Sequence, residues 1–299
     1  MNKKEAGFLL LTSHLGDPDR KPLTVHQFMD LSRRMQRVLP PEKDGEVDFA
    51  YLSSLGYGKA MAERILSLLA DEAVLRYYLQ RGARMDCFPL SRIHPSYPHA
   101  LRFRLGPDAP GCLWAKGDVT LLDTPMIALV GSRDLLPQNR DFSEAVGRHA
   151  ACQGYTLVSG NARGADKAAQ DACLEAGGCV ISIVADQLSG KPLKERTLFL
   201  SEDDFDAAFS AQRALSRNRS IHALPQKTFV AQCGEEKGGT WDGTVKNLRY
   251  GWSPVYVLDD GSPASKNLAQ QGASLIRIED LSDFASLRFG TDNFLTGSE

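Results

Sequence analysis

The sequence predicts an α/β protein in which a doubly wound, mostly parallel sheet follows a small all-helical domain. From Met126 onward, short apolar runs alternate with amphipathic stretches, and this alternation favours parallel strands with helices on both faces. The first ninety residues instead show helical periodicity without a clear strand. We therefore predict a helical domain at 1–85, a bridging segment at 86–120, an α/β domain at 121–290 and a polar tail at 291–299.

The helical region contains one clear helix start and one candidate hairpin. Thr24 and Gln27 form a capping-box pattern before a periodic stretch that Pro40 and Pro41 are predicted to stop. A turn at 55–58 separates two further short helices, in the manner of a helix-hairpin-helix. Such a hairpin either serves as a packing module or presents backbone amides to a DNA phosphate. The residues leave both interpretations open.

The α/β region predicts about six or more strands. A Pro-rich segment with short extended pieces precedes it and is interpreted as a bridge. The predicted strands occupy residues 127–130, 155–159, 179–184, 227–231, 254–258 and 273–278, and the predicted helices occupy 139–153, 164–175, 244–250 and 264–271.

Composition excludes several classes of protein. With 42% apolar and 24% charged residues, the chain is typical of a globular protein. The formal net charge is −2, so any phosphate site must be a local arrangement and not a basic coat. The apolar runs are too short for a membrane span and no export signal is visible, so we expect a soluble cytoplasmic protein. Six cysteines and six histidines show no metal-ligand spacing, so we expect no disulfide framework, metal or cofactor.

Two glycine-containing turns follow the first two predicted strands of the α/β region. Gly131, Ser132 and Arg133 follow the first of these strands, and the segment 159–166 follows the second. In an open parallel sheet, ligands bind beyond the carboxyl ends of the strands. Glycines that bracket an arginine at a helix start form a plausible anion nest. Asp166 either compensates the helix dipole or orients Arg163 or a ligand hydroxyl. The pattern matches neither the dinucleotide fingerprint nor the Walker A motif.

Six motifs, in order along the chain, are similar to those of the DNA-processing protein A (DprA/Smf) family. They read VGSR, VSGNARGAD, LSED, SRNRSIHAL, EKGGT and PVYVLDDGSPASKNLAQQGASLI. The resemblance implies an extended Rossmann fold preceded by a sterile-alpha-motif-like domain. The family often ends in a winged-helix domain, for which we expect too few residues after the last predicted strand. Where the family usually has phenylalanine and proline before R-N-R, this chain has Gln212, Arg213, Ala214 and Leu215, so we expect this loop to follow another path.

The glycine turns and the resemblance together select thirteen candidate DNA or phosphate contacts, with Trp241 as a possible base-stacking platform. The thirteen are Gly131, Ser132, Arg133, Ser159, Gly160, Arg163, Gly164, Asp166, Arg217, Asn218, Arg219, Gly239 and Thr240. We expect their four guanidinium groups to converge on one crevice and bind a polyphosphate backbone. Alternatively, the basic segment 216–224 pairs with the acids at 202–206, which we interpret as a solvated first helical turn. Aromatic residues beside strands usually belong to the core, so Tyr250 and Trp252 are assigned there.

The resemblance implies a function in DNA recombination or in the uptake of DNA during transformation and competence. Members of the family bind and protect single-stranded DNA without sequence preference and hand it to the RecA recombinase, acting as homodimers. No catalytic constellation is evident, so we expect a non-enzyme. A sensor of a free nucleotide or nucleotide-derived signal fits the crevice nearly as well. A phosphoribohydrolase fits less well, because Lys246 or Asn247 stands where that reaction needs an acid.

Overall fold

The computed structural model describes residues 1–38 and 47–287, and these residues contain one nine-stranded sheet. The strands are β1 (Phe88–Ser91), β2 (Cys112–Gly117), β3 (Met126–Val130), β4 (Thr156–Ser159), β5 (Val180–Ile183), β6 (Thr197–Ser201), β7 (Lys227–Val230), β8 (Val255–Leu258) and β9 (Ser274–Ile276). All six predicted strands are present, and the predicted α/β class is confirmed.

Twelve α-helices accompany the sheet in the described part of the chain. They are α1 (Lys3–Thr12), α2 (Val25–Arg37), α3 (Phe49–Ser54), α4 (Lys59–Ala70), α5 (Glu72–Ala83), α6 (His99–Leu105), α7 (Pro137–Cys152), α8 (Ala165–Glu175), α9 (Ala211–Ser216), α10 (Asn218–Ala223), α11 (Gly238–Tyr250) and α12 (Pro263–Gln270). None of the described helices has the length and apolarity that a membrane span requires.

The strand order places a ligand crevice at one point of the sheet. The order is β1-β2-β6-β5-β4-β3-β7-β8-β9, with β1 and β2 antiparallel to their neighbours and the other pairs parallel. The chain runs outward from β3 through β4, β5 and β6, and then returns to β7 on the other side of β3. Such a reversal separates the connecting loops of β3 and β7 and opens a crevice beyond their carboxyl ends.

Three strands extend the sheet beyond those predicted. The segment 86–120, interpreted as a bridge, contributes β1 and β2. Pro89 cannot donate to a ladder, which is compatible with the edge position of β1. Strand β6 is a run of five buried residues between β2 and β5. Helix α11 starts at Gly238, six residues before the predicted start. The sequence did not indicate this start, because the first turn contains two glycines, which are poor helix formers.

The sheet is buried on both faces, as its parallel strands require. Along β3, Ala128 and Val130 face one cluster with α6, α10, α11 and α12. Ile127 and Leu129 face the other cluster, with α7 and α8. This alternation follows from the two-residue period of a strand.

The helical domain packs against the β2–β6 side of the sheet. Tyr78 from α5 makes ring contacts with Trp114 from β2 and with Phe205 after β6, in a cluster that also contains residues of α1. The predicted capping box of Thr24 and Gln27 is present at α2, which ends at Arg37. Pro40 and Pro41 lie outside the described residues. In the α3–α4 hairpin, the Tyr57 hydroxyl donates to Asp30 of α2, which is the behaviour of a packing module.

Helices α7 and α8 approach so closely at Gly147 that a side chain cannot fit. A Cβ on Gly147 would lie 2.1 Å from the Ala169 carbonyl oxygen and 3.1 Å from the Cys173 amide nitrogen, both on α8. We expect Gly147→Ala to lower the free energy of unfolding by about 1–3 kcal/mol, since the two helices must separate. Urea unfolding measures this loss.

The matched control is Gly7→Ala in α1, where a Cβ meets no atom within 4 Å. Because alanine favours a helix, this variant should be neutral or more stable by up to about 1 kcal/mol. Equal losses in the two variants would contradict the assignment of Gly147 as the contact point.

Candidate nucleic-acid interface

A cavity of about 580 Å³ opens at the carboxyl ends of β3 and β7, and we call it the crevice. Its walls are the loop after β3, the segment from residue 209 through α10, and the turn that begins α11. Eight of the predicted contact residues line it: Gly131, Ser132, Arg133, Asp166, Arg217, Asn218, Gly239 and Thr240. Residues from the turns after β3 and β4 and from the SRNRSIHAL and EKGGT motifs therefore line the same cavity.

The loops around the crevice are bonded to one another. The Ser132 amide donates to the Gln232 carbonyl after β7 at 2.8 Å, and the Ser132 carbonyl accepts from the Ala165 amide of α8 at 3.1 Å. The Thr240 hydroxyl of α11 donates to the Gly131 carbonyl at 3.1 Å. The loop after β3 is therefore held by three different elements.

Two glycines allow this close approach of the loops. A Cβ on Gly131 would lie 2.4 Å from the Ala165 Cβ, and a Cβ on Gly164 would lie 2.4 Å from the Ser132 carbonyl oxygen. Gly164 also has a φ of +90°, which side chains disfavour. These predicted phosphate contacts thus have a packing role in the structure.

The predicted anion nest at 159–166 is filled by the protein's own carboxylate. Asp166 accepts hydrogen bonds from the amides of Gly160 at 3.0 Å and Ala162 at 3.2 Å. Burial raises the pKa of Asp166, and the charge of Arg217 with the two amides opposes that shift. The Ser159 hydroxyl accepts from Gln170 and is buried. Asp166 therefore holds the loop and faces Arg217, not Arg163.

Arg217 is a buried cation without a matched anion. Its guanidinium lies over Gly160, where a Cβ would be only 1.6 Å from Nη1, and the residue is 8% exposed. Its Nε has no hydrogen-bond partner, and Arg217 forms no ion pair within the described residues. Burial lowers the pKa of Arg217, while the charges of Asp166 and Glu202 oppose the shift.

The expected convergence of four guanidiniums is wrong for two of them. Arg163 points outward to a solvent-exposed ion pair with Asp134 at 2.7 Å and lines a cavity beside α7 and α8. Arg219 lies 3.9 Å from Glu202 and lines a cavity adjacent to the crevice. The alternative pairing with the acidic segment therefore holds for Arg219 but not for Arg217.

The acidic segment 202–206 is not a solvated helical turn, because these residues are not helical. Glu202 is buried and accepts from the hydroxyls of Ser216 and Ser220. Burial raises the pKa of Glu202, and these hydroxyls and Arg219 oppose the shift. In the described ranges no group of three or more His, Cys, Asp or Glu side chains is arranged to hold a metal ion.

The crevice also contains two residues that are not among the thirteen predicted contacts. Phe209 is 57% exposed and lines the crevice, as does Lys237 immediately before α11. Phe209 lies eight residues before Arg217, outside the motif there; its only sequence signal is a large apolar residue in a short polar loop. Trp241, the predicted stacking platform, packs partly buried against the core.

The predicted core position of Tyr250 and Trp252 is wrong for Tyr250. Its ring is 60% exposed and stacks on Trp252 with centroids 5.5 Å apart. Trp252 is partly buried against the core cluster.

His222 lines the crevice, and its Nδ1 lies 3.2 Å from the Asn247 side-chain nitrogen. Burial lowers the pKa of His222 to about 4, from an ordinary value of 6.5. The unfolded chain therefore takes up this proton first as pH falls. The titration of His222 should lower the free energy of unfolding by up to about 3 kcal/mol between pH 7 and pH 4. Urea unfolding at several pH values measures this loss.

His222→Asn is the matched variant, because it retains an acceptor for Asn247 and cannot be protonated in this range. Its stability should fall less than that of the wild type between pH 6.5 and 4. The buried carboxyls of Asp166 and Glu202 act with the opposite sign, since their raised pKa favours the protonated folded form. They are common to both proteins, so parallel pH profiles would contradict the role of His222.

Three known proteins are similar to this chain in sequence or in fold. A DprA of Bacillus subtilis is 29% identical over 219 residues, which are 68% of this chain and 71% of that protein. An X-ray structure of DprA from Streptococcus pneumoniae, 24% identical, superposes with a TM-score of 0.69 over 89% of this chain and 94% of its own. A structure of DprA from Helicobacter pylori, described for its single-stranded DNA binding mode, is 26% identical with a TM-score of 0.56, over 66% of this chain and 94% of its own.

A sequence profile gives the family directly. The profile of DNA recombination-mediator protein A matches residues 89–286, which include the whole sheet except the first residue of β1 and all the walls of the crevice. The chain therefore belongs to the DNA recombination-mediator protein A family, the DprA/Smf family that its motifs resemble.

Proposed function

We propose that this protein binds single-stranded DNA through the crevice, without sequence preference. Family membership supports the proposal, as does the relative from Helicobacter pylori that was studied for this binding. The observation that carries it is the buried, unmatched guanidinium of Arg217.

A buried charge is expensive unless it is paired. Among the described residues that line the crevice, the one carboxylate is Asp166, which already accepts two backbone amides. A phosphate oxygen entering the crevice would give this guanidinium the charged acceptor that it lacks. Arg133 and Lys237 add two exposed cations on the same cavity, and three cations against one carboxylate favour an anion.

The residues that line the crevice provide two kinds of surface. Phe209, Ala214 and Leu215 form an apolar wall. Arg133, Arg217 and the first turn of α11 form a cationic one, since the start of a thirteen-residue helix carries a partial positive charge. A single strand has the same division, because its bases stack on apolar surfaces while its backbone follows positive charge.

Two finer proposals rest on family membership alone. We propose that the protein passes bound DNA to the RecA recombinase, in recombination or in DNA uptake during transformation, and that it acts in the cytoplasm as a homodimer and not as an enzyme. Light scattering tests the dimer and capture on immobilised RecA tests the contact; a monomeric mass or no capture would remove the respective proposal.

For the phosphoribohydrolase we find no support, since Asn247 is a buried amide bonded to Ser253.

Arg217→Met should weaken the binding of a labelled poly-dT strand at low salt by about tenfold or more, because the charge that faces the phosphate is removed while the volume over Gly160 is kept. The dependence of log affinity on log salt should become shallower by about 0.7 for each phosphate that the variant no longer neutralises. Fluorescence anisotropy at several salt concentrations measures both quantities.

Arg163→Met is the matched control, because it removes the same charge from the loop 160–166 but outside the crevice. We expect its affinity to stay within about twofold of the wild type, as for an exposed charge away from the bound strand. Wild-type affinity in Arg217→Met, or an equal loss in both variants, would contradict the crevice. Calorimetry in which a mononucleotide binds as tightly as poly-dT would indicate a nucleotide sensor instead.

Phe209→Ala should also weaken poly-dT binding, but by a different mechanism. Loss of one stacked base costs about 1–3 kcal/mol, and no charge is removed, so the salt dependence should be unchanged. Phe209→Trp, which keeps an aromatic face, should retain affinity. If Phe209→Ala binds like the wild type, the apolar wall does not contact bases.

A further inference from the structure

A second cavity, of about 500 Å³, adjoins the crevice. Leu215 and Asn218 line both cavities, so the two are separated only by this ridge. The second cavity is lined by α11 residues from Asp242 to Tyr250 and by Trp252.

The stacked pair of Tyr250 and Trp252 forms an aromatic platform in this cavity. The two rings are inclined by 16° with centroids 5.5 Å apart. Trp252 is anchored against the core, while Tyr250 is largely exposed. The exposed guanidinium of Arg249 lies 5.5 Å from the Tyr250 ring centroid. The exposed Arg249 side chain would have to move, or to stack on the ligand itself, for a planar ring to lie on the exposed part of this aromatic pair.

Three cations, Arg104, Arg219 and Lys246, line the same cavity as the aromatic pair, together with the carboxylates of Asp108 and Asp242. The Nε of Arg219 is buried without a hydrogen-bond partner, and its carboxylate neighbour Glu202 is 3.9 Å away. The Arg104 guanidinium donates hydrogen bonds to the carbonyls of Ala223 and Pro225. Carbonyls carry no net charge, so these bonds do not neutralise the positive charge of Arg104. Lys246 is paired with Asp242 at 2.8 Å. Among the described residues Arg104 therefore has no ion pair, and Arg219 has only the 3.9 Å pair with Glu202, so these two guanidinium groups are the ones that a phosphate would contact.

We propose that this second cavity binds a nucleotide, with its base on the Tyr250–Trp252 pair and its phosphate near Arg219 and Arg104. The combination of a planar apolar surface and guanidinium groups matches a base joined to a phosphate. The nucleotide comes from the strand that crosses the ridge from the crevice, and in this respect the inference rests on the proposed function. A free mononucleotide has the same chemistry and is distinguished by the experiment.

The test compares Tyr250→Leu with Tyr250→Phe. Because Tyr250 is exposed, both variants should fold, which thermal unfolding verifies. Tyr250→Leu should weaken poly-dT binding about five- to tenfold through the loss of one stacking surface, and Tyr250→Phe should bind like the wild type. In a Trp241→Phe background, poly-dT should also quench the fluorescence of Trp252, because the remaining Trp114 is buried in the core.

The outcomes separate this inference from the crevice. If Tyr250→Leu binds like the wild type and Trp252 is not quenched, while Arg217→Met still weakens binding, the second cavity is overturned and the crevice stands. If poly-dT does not bind at all, the proposed function fails. Quenching of Trp252 by a mononucleotide would then support the cavity with a free nucleotide as its occupant, and no quenching would overturn it.

Discussion

The packing of the Arg217 guanidinium on Gly160 is the constraint on which the crevice depends. Only a glycine leaves room for the charged group at this point, and only a loop held from within can keep that room open. Asp166 holds the loop through the amides of Gly160 and Ala162. The carboxylate is therefore used twice, as a brace for the backbone and as a distant countercharge. Neither role gives Arg217 an ion pair within the described residues, so an anion that enters the crevice can bind its guanidinium group.

The contacts between loops explain why this site is formed before any ligand arrives. The loop after β3 is bonded to the loop after β7 through Gln232, to α8 through Ala165 and to α11 through Thr240. A site whose walls are already ordered loses less conformational entropy on binding. In such a crevice the binding energy of each phosphate contact appears as affinity and is not spent on ordering the loops.

The sequence predicted the elements of the fold and the location of the site better than it predicted directions of side chains. Strand runs and glycine turns are local signals, and the carboxyl-end rule locates the crevice from strand order. The direction of the Arg163 side chain depends on the backbone of its loop, in which Asn161 and Gly164 have positive φ angles. It also depends on the exposed carboxylate of Asp134, which is distant in the sequence. Phe209 carries no motif, and only the folded path of the segment before α9 brings it to the crevice.

The same contacts support the proposed absence of sequence preference. Base edges are read by side chains with free donors and acceptors. In this crevice the Asn218 amide donates to the Gly239 carbonyl, and the Thr240 hydroxyl donates to the Gly131 carbonyl. Two of the polar groups that could distinguish one base from another are thus engaged in joining the loops. The crevice also presents cations, which are suited to phosphate, and the exposed Phe209 ring, on which any base can stack. The contacts that make the site rigid are therefore the same ones that support the proposed indifference to sequence.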